Sequence, residues 1–160
     1  MRRDAPANDA CTVRLATSGD SDLLQTVLDN SSGAANSDIF GLNATELLQA
    51  HQVHLALNDG EPIGCVMVTV ANSSVIHNLA VVQAFRNQGH ATTLIRAAIA
   101  YNDKAHAPEI YWTAVDGGTA GAWERFAKLG FEGAGVEDHG TLRLMIRKRP
   151  HNDLRTVEAA

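Results

Sequence analysis

The segment Leu79-Ala80-Val81-Val82-Gln83-Ala84-Phe85-Arg86-Asn87-Gln88-Gly89-His90-Ala91 closes a strand-like run, turns through polar residues and opens a helical pattern at a glycine. The first amides of a helix have no internal partners and lie at the positive end of its dipole, which suits them to an anion such as a phosphate. Small residues at Gly89 and Ala91 would let that anion reach the backbone, and Arg86 would add charge at the edge. A plainer reading is that Gly89 only permits a tight strand-to-helix turn. The glycine pattern of dinucleotide-binding proteins is absent, as is a phosphate loop with glycine followed by Lys and Ser or Thr. Just upstream, His77 brings an imidazole that titrates near neutral pH, where a general base is most useful.

Other chemistry-bearing residues have plain readings beside the functional ones. His139 falls in an expected hairpin, where a solvated turn histidine is the simpler account, and Asp116 could either meet a cationic substrate or cap a helix. His51 and His54 are spaced i, i+3, but the pattern changes from helix to strand between them, so no metal site is expected. Cys65 sits in an apolar run and reads as a small core residue, and Trp123 reads as a core anchor of its helix. Tyr101 and Tyr111 are the only tyrosines.

With 160 residues, 45% of them hydrophobic and 19% charged, the chain suits one domain with its own core. A formal net charge of -5 argues against a non-specific nucleic-acid binder, so any anionic ligand must be held locally. The longest apolar run, Ile63 to Val70, is far short of the roughly 20 residues of a membrane helix. Two cysteines make neither a disulfide framework nor a metal cluster, and the cytoplasm is the expected location.

The elements that must position these residues follow from periodicity. Residues 1–11 are expected to form a disordered arm, 12–148 the domain and 149–160 a loose tail. Thr12 to Ala16 alternates like a strand, and Leu23, Leu24, Val27 and Leu28 repeat at helical spacing. Ser31 to Gly41 reads as a loop, Asn43 with Glu46 as a capping box, and Asn58-Asp59-Gly60 as a hairpin turn between strands 53–57 and 63–70. A strand at 75–82 precedes the helix carrying Ala91, Leu94, Ile95, Ala98 and Ile99. A strand at 110–115, a helix with Trp123, Phe126 and Ala127 on one face, and strands at 131–136 and 142–147 complete the chain. The order β-α-α-β-β-β-α-β-α-β-β predicts one α/β domain with a mixed central sheet flanked by helices.

Leu79-x-Val81-x-x-x-x-Arg86-x-Gln88-Gly89-x-Ala91 resembles the acetyl-CoA-binding motif of the GNAT family of N-acetyltransferases, as does the later Trp123-x-x-Phe126-x-x-Leu129-Gly130-Phe131. The resemblance implies an acyltransferase moving acetyl from acetyl-CoA, as co-substrate, to a primary amine of a small molecule, amino acid, aminoglycoside-like compound or protein. It implies backbone contacts to the cofactor from Leu79, Ala80 and Val81, and a pyrophosphate site at Arg86, Asn87, Gln88, Gly89, His90, Ala91 and Thr92. The thioester would sit where strands 75–82 and 110–115 splay apart. His77-Asn78-Leu79-Ala80-Val81 is similar to the cofactor strand of the arylalkylamine branch, where a histidine helps remove the amine's proton, although Val75 replaces that branch's second histidine. A role for His77 in lining the cleft or binding substrate stands beside this. Phe126 occupies the place of the family's usual tyrosine acid, which leaves open a non-catalytic acyl-CoA-binding module. Asp38, Glu46, Glu137 and Asp138 weakly favour a cationic acceptor. No metal, nucleic acid or membrane is expected, and a homodimer is compatible with the family.

Overall fold

The computed structural model describes residues 11–31, 42–116, 121–136 and 142–148. The expected disordered arm, the loose tail, nearly all of the 31–41 loop, and Asp38, Glu137, Asp138 and His139 lie outside them.

Seven strands form one mixed sheet in the order β1-β2-β3-β4-β5-β7-β6. They are β1 (Cys11–Leu15), β2 (Gln52–Asn58), β3 (Glu61–Thr69), β4 (Ser73–Val81), β5 (Ile110–Asp116), β6 (Glu132–Val136) and β7 (Leu142–Lys148). Helices α1 (Ser21–Asn30) and α2 (Ala44–Ala50) precede β2, α3 (His90–Ala105) joins β4 to β5, and α4 (Ala122–Lys128) follows β5. The element order matches the expected one. Only the β4–β5 pair is parallel, as a strand-helix-strand connection requires.

Local signals account for the element ends. Asn43 and Glu46 close a reciprocal capping box at the start of α2. Asp59 (φ 52°) and Gly60 (φ 84°) turn β2 into β3 with the positive φ pair that two-residue hairpins demand. Before α1, Thr17 and Asp20 form a second capping box, and Arg14 of β1 donates two bonds to the Asp20 carboxylate at 2.8 and 2.9 Å. Those bonds, with that from the Thr17 amide, hold the Asp20 carboxyl well below the usual carboxylate range.

The sheet is buried on both faces, which is why β2 and β3 read as continuous apolar runs. Val66, Val68 and Ile76 face Leu94, Ile95 and Ala98 of α3 on one side. On the other, Val53, Leu55 and Met67 meet Leu24 and Val27 of α1 and Leu47 of α2. In α4 the inward positions are Ala122 and Phe126, and Trp123 is 38% exposed. The expected core anchor therefore points outward, because Ala122 and Phe126, four residues apart, define the inner stripe and put Trp123 and Ala127 beside it. Gly64 is required by space: a Cβ there would lie 3.0 Å from both the Ala80 carbonyl oxygen and Leu94 Cδ1.

A polar cluster crosses the α3 side. Gln52 and Asn102 exchange two amide bonds, and His54 Nε2 lies 2.6 Å from Gln52 Oε1 with its ring against Tyr101. Burial holds the His54 pKa down to about 4.

Two outcomes follow for stability. Gly64→Val should lower the unfolding free energy by about 1–3 kcal/mol, read from urea midpoints, because the displaced atom is backbone. The folded chain keeps His54 neutral where the unfolded chain binds a proton, so this contribution is complete above about pH 6.5 and is lost as pH falls towards 4. A His54→Gln variant should show a flatter decline of the urea midpoint over that interval than the parent.

Candidate active site

Strands β4 and β5 pair only at Ser73–Ile110, Ser74–Tyr111 and Val75–Trp112. The Trp112 indole donates to Ser73 Oγ at this junction. Beyond it β5 continues to Asp116 beside β7, while β4 continues to Val81 beside β3. Among the described residues, β4 therefore makes no ladder pair with β5 beyond Val75, and the two strands part there.

The bulge in β4 lies beyond this point. Cys65 pairs with Ala80 and Met67 with His77, so β4 spends one residue more than β3 between the two pairs. Asn78 absorbs it at φ 50°, an αL conformation that asparagine tolerates better than most residues. The buried Cys65 thiol lies 3.6 Å from the Asn78 carbonyl, and burial pushes its pKa up to about 12. It is a core residue, as the sequence indicated, and an unreactive one.

The end of β4 leads into the start of α3. Arg86 donates from Nε to the Val81 carbonyl at 3.1 Å, which ties the connecting turn back to the strand. Asn87 (φ 64°) and Gly89 (φ 86°) then reverse the chain, and Gly89 N-caps the 16-residue helix. The Thr93 amide makes the first helical bond, to Gly89 O at 3.1 Å, so the amides of His90, Ala91 and Thr92 precede the ladder. A Cβ at Gly89 would meet nothing within 4 Å. Its φ therefore calls for glycine here. His90 turns its side chain into the fold: it is 2% exposed, packs against Phe85, and neither ring nitrogen has a partner among the described residues. Burial lowers its pKa.

His77 lies on the α1–α2 face, half-buried, opposite Met67. Its Nδ1 is 2.6 Å from Asn78 Oδ1 and its Nε2 is 2.9 Å from Thr69 Oγ1. Thr69 Oγ1 is also 3.1 Å from His51 Nδ1, and the two rings meet edge to face with centroids 4.6 Å apart. His54 lies on the opposite face, so His51 and His54 do not converge. Among the described residues no group of three His, Cys, Asp or Glu side chains could hold a metal. Phe126 is buried against Phe131, at 5.2 Å between ring centroids. The Tyr111 hydroxyl donates to Asp103 at 2.7 Å, and Tyr101 lies against His54 and His106. Both tyrosines therefore belong to the α3 side, away from His77. Thr69 and His51 carry no motif; the β3–β4 register brings Thr69 to His77, and the β2–β3 register, with Gln52 opposite Val68, brings His51 to Thr69.

The residues of the phosphate-binding pattern thus sit between the edge of β4 and a helix start. A sequence model of the Acetyltransferase (GNAT) family matches residues 23–131, well over half of the chain. The chain belongs to this family. An acetyltransferase of the family from Elizabethkingia anophelis with acetyl-CoA bound superposes with a TM-score of 0.69 at 19% identity, covering 88% of this chain and 99% of that one. The PaiA N-acetyltransferase from Thermoplasma acidophilum, in complex with coenzyme A, gives 0.70 at 17% identity, with 87% and 99% coverage. A ribosomal-protein-alanine N-acetyltransferase from Brucella melitensis gives 0.71 at 17%, with 86% and 99% coverage. At these identities the likeness is one of fold. No curated protein matches the sequence. Among the described residues, no helix of this GNAT chain is long and apolar enough to cross a membrane.

Because Asn78 holds a positive φ, Asn78→Val should cost about 1–3 kcal/mol of stability, whereas Asn78→Gly should be tolerated by the backbone. Thermal unfolding of the two variants distinguishes this conformational demand from a side-chain one.

Proposed function

We propose that this chain transfers an acetyl group from acetyl-CoA to a primary amine by direct attack on the thioester. The observation that carries the reading is the continuity of the β4 edge, which parts from β5 after Val75, with the start of α3. An extended pantetheine arm adds to such an edge as a strand would, through the backbone of Leu79, Ala80 and Val81. The pyrophosphate then falls at the turn and first helical amides, from Arg86 through Asn87, Gln88, Gly89, His90 and Ala91 to Thr92. Family membership and the fold shared with acetyl-CoA- and CoA-bound acetyltransferases support the same assignment.

In the reaction His77 removes a proton from the substrate ammonium, and the freed nitrogen lone pair attacks the thioester carbonyl. A backbone amide near Val81 stabilises the oxyanion, and collapse of the tetrahedral species breaks the carbon–sulfur bond. The attacking nitrogen gives up its second proton as the amide forms, and the departing thiolate takes that proton up, since Phe126 has none to give. The acceptor is a primary amine, whether of a small molecule, an amino acid, an aminoglycoside-like compound or a protein. The reaction needs no metal, and the cytoplasm, where acetyl-CoA is available, is the proposed location.

Calorimetric titration with acetyl-CoA, followed by thiol release across a panel of amines, tests this directly. Binding with amine-dependent release is expected. Gly89→Val should weaken acetyl-CoA binding by about tenfold or more, or roughly 1.4 kcal/mol. His77→Gln should lower kcat by about 10²-fold while leaving acetyl-CoA binding intact. Binding without release from any amine would point to an acyl-CoA-binding module, and no binding would overturn the assignment of residues 86–92.

A further inference from the structure

Val75 and Trp112 are the last residues at which β4 and β5 pair. The row continues into β7, where Ile146 pairs with Trp112, and the next row sets Leu144 beside Ala114. Side chains alternate between faces along a strand. Ile76, Tyr111, Val115 and Met145 belong to the core beneath α3, so Val75, Trp112, Ala114, Leu144 and Ile146 all lie on the α1–α2 face.

The two helices cover that face only in part. The core beneath α1 and α2 takes side chains from β2, β3 and β4 and, among the described residues, none from β5 or β7. Val75 is 39% exposed, Ala114 is exposed, and Trp112, Leu144 and Ile146 are half-buried. The Trp112 indole N–H, its one polar group, donates to Ser73 Oγ, so the ring is held in place and offers hydrocarbon to whatever lies against it. The result is an apolar strip across three strands, about 10 Å from β4 to β7. Thr69, opposite Val75, and Glu132, opposite Ile146, border it.

We propose that this strip binds the body of the acceptor, so that the substrate is a primary amine carried on an uncharged hydrocarbon group, with Trp112 and Val75 selecting it. This rests on acetyl transfer at the point where β4 and β5 part. A thioester lying there is closed off on the α3 side, where Ile76, Tyr111, Thr113 and Val115 are buried. The amine therefore comes from the α1–α2 side, across the strip. A hydroxylated or multiply charged body would lose hydration against these five side chains with no hydrogen bond in return. A hydrocarbon body instead removes their apolar surface from water together with its own. None of the five carries a charge, so selection along the strip is by apolar area.

Steady-state kinetics of the full chain on ethylamine, butylamine and hexylamine, which differ in hydrocarbon length and not in basicity, tests the proposal. kcat/KM should rise about fourfold for each added methylene. Trp112→Ala should cut the hexylamine-to-ethylamine ratio by about tenfold, and Val75→Thr, which exchanges a methyl for a hydroxyl, by about threefold. Trp112→Phe should keep most of it. Calorimetric binding of acetyl-CoA shows that each variant is folded. A flat or falling series in a chain that acetylates amines would overturn the strip and leave acetyl transfer standing, as would an unchanged ratio in both Trp112→Ala and Val75→Thr. Nitrogen-15 NMR of the indoles gives a readout that needs no turnover. With coenzyme A bound, hexylamine should shift the Trp112 indole N–H saturably and leave that of Trp123 in place. Such a shift without acetylation of any amine would uphold the strip and overturn acetyl transfer, whereas no shift at Trp112 would overturn the strip.

Discussion

Strands β4 and β5 share only three paired positions before they part, and the rest of the site depends on that separation. A strand edge in the middle of a sheet is costly, because its amides and carbonyls lose the partners that a continuous ladder would supply. Here the surroundings make it tolerable. On its other side β4 keeps its ladder with β3 across the bulge, and the Cys65 thiol packs against the bulged carbonyl. Through the junction and beyond it β5 pairs with β7 at every position from Ile110 to Asp116. Each strand is thus secured by its ladder on the side away from the point where they part. Asn78, with its positive φ, is the local strain that comes with this arrangement.

The electrostatics follow the same economy. A chain of net charge -5 does not attract a polyanion by its overall field. In the proposed site the attraction is local, from the backbone amides at the start of α3 after Gly89. Arg86 is tied to the Val81 carbonyl, so its charge is held beside that helix start while its Nε bond fixes the turn. The other elements carry this framework: the α3 stripe anchors the helix on the sheet, and α1 and α2 close the opposite face, where His77 lies.

Much of this was legible in the sequence because it is local. The helix start at Gly89, the Asp59-Gly60 turn and the Asn43–Glu46 box each depend on a few neighbouring residues, and the structure contains all three. What the sequence hid depends on register. His51, Thr69 and His77 are 26 residues apart from first to last, and the pairing of β3 with both β2 and β4 brings them together. Nor does periodicity fix the rotation of a two-turn helix, so Trp123 was placed inward when Ala122 and Phe126 hold the inner stripe. Gly89 stood open between two readings, a small residue for an anion and a residue for a tight turn, and its φ of 86° supports the turn.

The central claim is that coenzyme A lies along the β4 edge and ends at the start of α3. Amide NMR of the nitrogen-15-labelled protein during titration with coenzyme A tests it most directly. The account predicts that the largest shift changes fall on Leu79, Val81 and Gly89 through Thr92, with β1 and β2 little affected. Saturable binding whose changes avoid those residues would contradict it.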